Sequence, residues 1–513
     1  MKKFFFLTIY LSCFLLSFSQ SLTETPLVWL RADRSELGAV VWRDVSGHAH
    51  GATPSLGTLP ESYTLFNFNK SFPVHRDLSF HLPDLALPTA AVNAIIVYRV
   101  SDSIAEQGLW QLGVDSVSRV GLSTQRILNE RGELRYGTSN RMGGIVNSLT
   151  QSWGSSAGDT SLRRVHIGAL DSLSFEGDIA EFLLFGKRLS DSTLMQWISY
   201  LGVKYGITLY HTNYVNSSGQ CIWSYDHAPD YTYSVAGIGK DTLMGLHQKQ
   251  TYFIDQQIIF GLDSLAGDNE HHGSEFREGD FMMMGCDSSG LLVAGTLYLN
   301  NGSEFSTYGN CKVQVSGTGN SYATFLQVQA QGWDNDFSSY GLLIDRSGSG
   351  TYPLDQVELY LPSQIDSLGF LYFENLQWDP DGNGTDVFCF ASFPGDSLSS
   401  RSLLSSATGG EPAQETNRFN SPQELNQAAN QSNGSSYSVY PNPTSGRFTL
   451  SIHYPQVSEV TVHLLSSDGK LVKSLRGDHQ TDYRFTDSIE TAGHYLLEIR
   501  SATEQKTLKM VVY

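Results

Sequence analysis

An all-β fold made of sandwiches is what this sequence predicts, and three observations carry the prediction. Short apolar runs recur along the chain with Gly, Ser and Asn between them, the pattern of strands separated by turns. Phe (27), Tyr (25) and Gly (48) are abundant in 513 residues, as half-buried strands and tight turns require. One stretch only, residues 191–205, has convincing helical spacing.

The length accommodates two to four domains, each with its own core. A content of 40% apolar and 17% charged residues reads as globular. The formal charge of -19 sets up a negative field that repels nucleic acid and anionic membrane surfaces over a Debye length. Neutral polysaccharide, calcium and basic proteins are the partners that fit it.

Taken in order, the chain opens on Lys2 and Lys3, the apolar run Phe4 to Phe18, and small residues Ser17 and Ser19 placed three and one before a cleavage point at Gln20. This is a signal peptide, 1–19, too short for a membrane anchor. No transmembrane helix is expected in the mature chain. Export leads through the periplasm to an oxidising compartment, where Cys221, Cys286, Cys311 and Cys389 allow two disulfides in any of three pairings. Cys286 with Cys311 is the local option. No C-x-x-C pair exists to make a thiolate zinc site.

Residues 20–212 read as a first β domain. Leu27 to Asp33 and Val40 to Gly51 alternate in the manner of strands broken by a Ser-Gly turn, and further strand candidates are Ala94 to Val100, Gly108 to Gly113, Val117 to Leu122, Glu133 to Tyr136 and Arg164 to Gly168, a spacing that suits two packed sheets. The short apolar run Phe182 to Phe185 follows. Ser190 then caps a helix whose apolar residues Leu194, Trp197, Ile198, Leu201 and Tyr205 fall at helical spacing, and Gly206 ends it. One face of that helix is expected on a sheet.

The segments WLRAD (29–33), W-x-D-x-S-G (Trp42 to Gly47), FEGDIAEFLLFGKRLS (175–190) and YLGVKYGITL (200–209) resemble the laminin G-like, concanavalin A-like jelly roll of exported proteins of Bacteroidetes-type bacteria. The resemblance implies a carbohydrate- or protein-binding sandwich, on a fold shared with some glucanases. Glu176, Asp178 and Glu181 spell E-x-D-x-x-E, the spacing of nucleophile, assisting Asp and acid/base in laminarinase-type glucanases. Two carboxylates about 5 to 5.5 Å apart would suffice for retaining hydrolysis. The same residues also read as the closing strand of a binding sandwich, and Gly177 stands where the glucanase pattern has an apolar residue. Asp44 is a rim candidate for calcium or a solvated turn residue. GSSAG (154–158) fits G-x-S-x-G, but a strand-like segment follows it where a nucleophile elbow needs a helix.

Residues 213–396 form a second β domain. AGIGKD (236–241) and LHQKQ (246–250) resemble a β domain of unassigned function that follows the laminin G-like one in surface proteins of those bacteria. Asp379, Asp381 and Asn383 alternate before Gly384, with Asp386 beyond, as in the first half of a calcium loop. Asp345, Ser347 and Ser349 repeat the pattern before Gly350. Phe390 and Gln356 stand where the closing Glu of an EF-hand belongs. Glu270, His271, His272 and Glu275 cluster without a zinc spacing.

Residues 397–436 shift to Ser, Gln, Asn, Ala and Gly, a linker composition. Beyond it YSVYPNPTSGRFTLSI, VTVHLLSSDGKLVKSL and AGHYLLEIRSATEQKTLKMVVY resemble, in order, the type A C-terminal sorting domain of the type IX secretion system over 437–513. That resemblance implies a small β sandwich, passage through the type IX machinery, and release or attachment at the outer-membrane surface. The whole reads as a secreted or cell-surface binding or adhesion protein for polysaccharide or surface glycan. A glycoside hydrolase and a structural matrix protein are the alternatives.

Overall fold

The computed structural model describes residues 24–87, 92–100, 105–113, 119–129, 132–135, 144–150, 162–209, 211–253, 257–287, 291, 293–298, 304–330, 333, 339–353, 356–366, 369–393, 436–440, 447–466, 470–489, 491, 493–501 and 504–512. The signal segment, GSSAG and nearly all of the linker lie outside these residues. The chain divides into two compact units, Met1–Gly409 and Gly410–Tyr513.

The first unit begins with a two-sheet antiparallel sandwich. One sheet runs Gly144–Thr150, Val92–Val100, Gly177–Phe185, Asn69–Val74, Thr64–Phe66, with Val28–Arg31 also pairing to Gly177–Phe185. The other runs Gly132–Arg135, Arg126–Asn129, Arg119–Ser123, Gly108–Gly113, Leu162–Ile167, Phe80–His81, Thr53–Pro54. Their inner faces enclose Leu30, Trp42, Phe72, Phe80, Ile96, Trp110, Val165, Phe182 and Leu184.

One expected strand is absent. Residues 40–51 make only isolated bridges, Leu30 with Asp44 and Trp42 with Ala52. The reason is Asp44, whose Oδ1 accepts the amides of Trp29 and Ser46 and whose Oδ2 accepts that of His50. A side chain that satisfies backbone donors in this way competes with a ladder.

The second half of this unit is another pair of sheets. An eight-stranded sheet runs Leu246–Gln248, Tyr233–Asp241, Phe281–Cys286, Glu304–Ser316, Thr385–Phe393, Ser339–Asp345, Val357–Tyr360, with Val293–Tyr298 beside Glu304–Ser316. A five-stranded sheet runs Gln250–Phe253, Ile258–Leu262, Thr324–Gln329, Phe370–Leu376, Gln364–Ile365. Ile238, Phe260, Met282, Leu326, Leu342, Phe373 and Trp378 belong to the core they share. Cys286 and Cys311 face each other across neighbouring strands and form a disulfide.

The helix Asp191–Tyr205 lies between the two halves. Ser190 Oγ accepts the amide of Thr193 at 3.2 Å, and Gly206 closes the helix at φ 60°, a conformation costly for a residue with a Cβ. Where a helix on one sheet was expected, this one is covered on both sides. The core around Trp197, Leu201 and Tyr205 draws Ile95, Val97, Leu183 and Phe185 from the first half, and Val235, Leu246, Phe281 and Met283 from the second. Its second half, Ser199 to Tyr205, is buried on every side.

A hairpin adds a second tie. Asn67 and Phe68 turn at φ 48° and 62° between Thr64–Phe66 and Asn69–Val74. Asn67 Nδ2 donates to the carbonyl of Lys204, and its Oδ1 accepts the amide of Tyr252 at 2.8 Å. Phe68 stacks on Tyr252 with ring centroids 4.2 Å apart.

The second unit is one five-stranded antiparallel sheet, in which the long strand Arg447–Ser466 pairs with Leu471–Ser488 over most of its length. Its register shifts between His453 and Val460, and a single core takes Phe448, Leu450 and Ile452 from one side of the shift and Val462 and Leu464 from the other. Such irregularities let a sheet bend over its own core.

Candidate functional site

The strand Gly177–Phe185 carries the three carboxylates picked out by spacing, and a bulge on it decides where they go. Ile179 pairs with Tyr98 and Glu181 with Val97, so Ala180 is the extra residue. Ile179, Phe182 and Leu184 then face the sandwich interior, while Ala180, Leu183 and Phe185 face the helix. Glu181 points to the helix side with them.

There Glu181 is fully buried and both its oxygens are occupied. Oε1 accepts from Trp29 Nε1 at 2.5 Å and Tyr200 OH at 2.9 Å; Oε2 accepts from Lys204 Nζ and Tyr205 OH, each at 2.8 Å. Lys204 Nζ also lies 3.1 Å from Asp33 Oδ2. Arg31 closes the network with Nε and Nη2 on the two Asp33 oxygens at 3.0 and 2.8 Å, and with Nη1 on the carbonyl of Gly245. Two cations and two anions thus balance in the layer between the halves.

The electrostatics follow from that closure. Burial alone would raise the Asp33 carboxyl, but Lys204 and Arg31 outweigh it and hold the group well below the usual carboxylate range. Burial, then repulsion from Arg31, lowers the Lys204 ammonium against the pull of Asp33 and Glu181. Tyr200 and Tyr205 are raised, burial first, with neighbouring negative charge adding to it, so both phenols remain hydrogen-bond donors.

The other two carboxylates go elsewhere. Asp178 accepts from Thr64 Oγ1 at 2.6 Å and from Arg99 Nε and Nη2 at 2.9 and 2.5 Å. Glu176 lies at the surface, paired with Arg76 at 2.8 Å. Gly177 between them has φ 153°, and a Cβ there would meet the carbonyl of Arg99 at 2.2 Å, which is why an apolar side chain has no room. Asp44 is spent on its own turn, with Ser46 Oγ on Oδ2 at 2.8 Å besides the amides named above.

The oxygen-rich loops are also internally bonded. Asp345 accepts from the amides of Ser347, Gly350 and Tyr352 and from two serine hydroxyls. In the other loop Asp379 Oδ1 accepts the amide of Gly384 at 2.6 Å, and Asp381 holds the Asn383 side chain at 2.5 Å. Asp386 Oδ2 accepts from Arg346 Nη1 at 2.7 Å and from the amide of Asp379 at 2.6 Å, while its Oδ1 is buried with no hydrogen-bond partner. Burial pushes the Asp386 carboxyl up to about 6, with Arg346 opposing.

Glu270 pairs with Lys70, His271 with Asp268, and Glu275 with Lys240; His272 is buried, its Nδ1 accepting the amide of Ser274. Among the described residues no three His, Cys, Asp or Glu side chains come together as a metal-holding group.

Spacing did not reveal Trp29, Tyr200, Lys204 and Tyr205 as partners of Glu181, nor Asp33 and Arg31 beyond Lys204. A signal was present: Tyr200 and Lys204 sit four apart on a helix, where their side chains meet, and a Lys inside an apolar stripe requires a buried counter-charge.

Residues 438–513 match the model of a family described as "Secretion system C-terminal sorting domain". This segment sorts the chain for type IX secretion. The protein is exported to the cell surface or the extracellular space and engages the type IX machinery through this domain. Residues 194–383 match a family described as "Domain of unknown function (DUF8202)"; that match begins inside the helix, so it takes in the element both halves share. No curated protein matches the chain. Among solved structures, a Trypanosoma rangeli sialidase in complex with the inhibitor DANA is similar at 13% identity, 33% of this chain, 31% of that one and a TM-score of 0.25. A Parabacteroides merdae β-glucuronidase is similar at 10% identity, 46% of this chain, 28% of that one and a TM-score of 0.11. The chain therefore spans less than a third of either protein. No described helix is long and apolar enough to cross a membrane.

Proposed function

We propose that the exported chain is a binding or adhesion protein for a neutral polysaccharide, with a laminin G-like first sandwich, and that it does not hydrolyse what it binds. One observation carries the choice of binding over hydrolysis: Glu181 has no exposed surface and donors on both oxygens. A retaining glycosidase needs two carboxyls free to reach the anomeric carbon and the leaving oxygen. Glu181 instead fastens the helix to the sheet. The reading needs no calcium at residues 379–386, because Arg346 already supplies positive charge to Asp386.

Electrophoresis of the full chain through native gels cast with dextran, xylan, laminarin or hydroxyethylcellulose, then stained for polymer, tests this. Retarded migration over intact polymer is the expected result. Cleared polymer, lost on replacing Glu176 and Glu181 with Gln in a variant whose melting curve matches the parent's, would make the chain a hydrolase. Unretarded migration in every gel, with self-association in solution, would favour a structural surface protein.

A further inference from the structure

The outer face of the five-stranded sheet carries a row of neutral side chains in register: Tyr252 opposite Ile259, Ile259 opposite Gln327, Gln327 opposite Tyr372, and Tyr372 opposite Gln364. Their neighbours along each strand, Phe253, Ile258, Phe260, Leu326, Val328, Leu371 and Phe373, point into the core. Strand alternation therefore turns the row outward. Three strand gaps of about 4.8 Å place the two tyrosines roughly 14 Å apart, with the glutamine between them. Phe68, from the hairpin of the first half, stands on Tyr252 as a wall at one end.

Gln327 is the anomaly in this row. It is 7% exposed, and its Oε1 is buried with no hydrogen-bond partner. Its orientation is set by the neighbours. Asp366 Oδ2 accepts the Tyr372 hydroxyl hydrogen at 3.0 Å, which leaves the Tyr372 oxygen to accept, and Gln327 Nε2 donates to it at 3.2 Å. Turning the amide over would set a carbonyl against an oxygen whose only hydrogen is already committed. The carbonyl of Gln327 thus stays without a donor among the protein's own groups, which costs stability. Such a group calls for an explanation, and a donor brought by a ligand is one.

We propose that this row is the subsite for the polysaccharide, with the Gln327 carbonyl accepting a sugar hydroxyl and the Tyr252 and Tyr372 rings lying against pyranose faces. The inference rests on the glycan reading above and gives it an address. The chemistry selects a neutral polyhydroxylated chain: the row holds no cation to pair a uronate or sulfate, the missing element is an O–H donor, and tyrosines offer apolar faces at a wet edge. The carbonyl is covered in the free chain, so the proposal requires whatever covers it to move aside on binding.

The test is the same electrophoresis on the full chain carrying Gln327→Met, Tyr372→Ala or, on the outer face of the first sandwich, His166→Ala, with a melting curve for each. Gln327→Met should weaken retardation about fivefold, the loss of roughly one hydrogen bond, while its melting temperature holds or rises because the unsatisfied acceptor is gone. Tyr372→Ala should weaken it further, and His166→Ala should leave it unchanged. Native retardation with both row variants equal to the parent would overturn the subsite and leave the glycan reading standing, as would loss confined to His166→Ala. A parent chain that binds none of the polymers would overturn both. Loss of binding together with a lowered melting temperature in Gln327→Met would mark a structural residue, refuting the subsite unless Tyr372→Ala loses binding at an unchanged melting temperature.

Discussion

Replacing Lys204 with Met should be among the most damaging single changes in the first unit, by an amount that depends on pH in a calculable way. The ammonium lies 2.8 Å from Glu181 and 3.1 Å from Asp33, with the Lys204 and Glu181 side chains 3% and 0% exposed. Without it, Arg31 alone faces two buried carboxylates. Removing one partner of a buried pair costs about 3 to 5 kcal/mol. The escape route is protonation of one carboxylate, which sets a ceiling. In the unfolded chain a carboxyl of ordinary strength has its pKa about three units below pH 7, so taking up the proton costs about 4 kcal/mol at roughly 1.4 kcal/mol per unit. At pH 5 the same step costs roughly 1 to 1.5 kcal/mol. The predicted destabilisation is therefore about 4 kcal/mol at pH 7 and less than half that at pH 5. Urea unfolding of the full chain followed by tryptophan fluorescence measures it cleanly, because all 8 tryptophans lie at or before Trp378 and report the first unit alone. Pairing Lys204→Met with Glu181→Gln should recover more than half of the loss. A cost below 1 kcal/mol at pH 7, or an equal cost at both pH values, would refute the account of the network.

Further outcomes follow from other residues. Burial, with Lys240 and Lys249 adding to it against Glu275, pushes His247 down to about 4; its unfolded form binds the proton more tightly, so stability is lost as pH falls from about 6.5 to 4, and His247→Gln should remove that slope. Asp386 runs the other way: a folded value of about 6 against 3.8 means stability falls as pH rises from about 4 to 6, and Asp386→Asn should flatten that part of the profile, both read from urea midpoints across pH. Reducing Cys286–Cys311, which closes a loop of 25 residues, should cost about 3.5 kcal/mol by chain entropy, seen as a lower urea midpoint in dithiothreitol and absent in the Cys286→Ser, Cys311→Ser double variant. Asn67→Gly keeps the turn at φ 48° but loses the bonds to Lys204 and Tyr252, and should cost about 2 kcal/mol in the same assay.

Local physics made much of this fold readable. Short apolar runs marked Val92–Val100 and Gly108–Gly113 to within two residues at either end, since a strand covered on both faces reads as a nearly continuous apolar run. Ser190 and Gly206 bounded the helix because the groups they satisfy lie within one turn. The sorting tail was recognisable because its three blocks keep their order along the chain. Residues 40–51 read as strands around a Ser-Gly turn; the chain bends at Ser46 and Gly47 as expected, but only isolated bridges flank the bend, because Asp44 takes amides a ladder would use.

The helix, several of the strands, the all-β class and the route of export were legible in the order of residue types. The use of each charge was settled by packing alone. Trp29 reaches Glu181 across 152 positions, and Asn69 reaches Gln248 across 179. E-x-D-x-x-E is the same string whether its last carboxylate faces a sugar or a buried lysine. A residue's type states which bonds it is able to make, but burial and partners, fixed by strands far apart in the chain, choose among them.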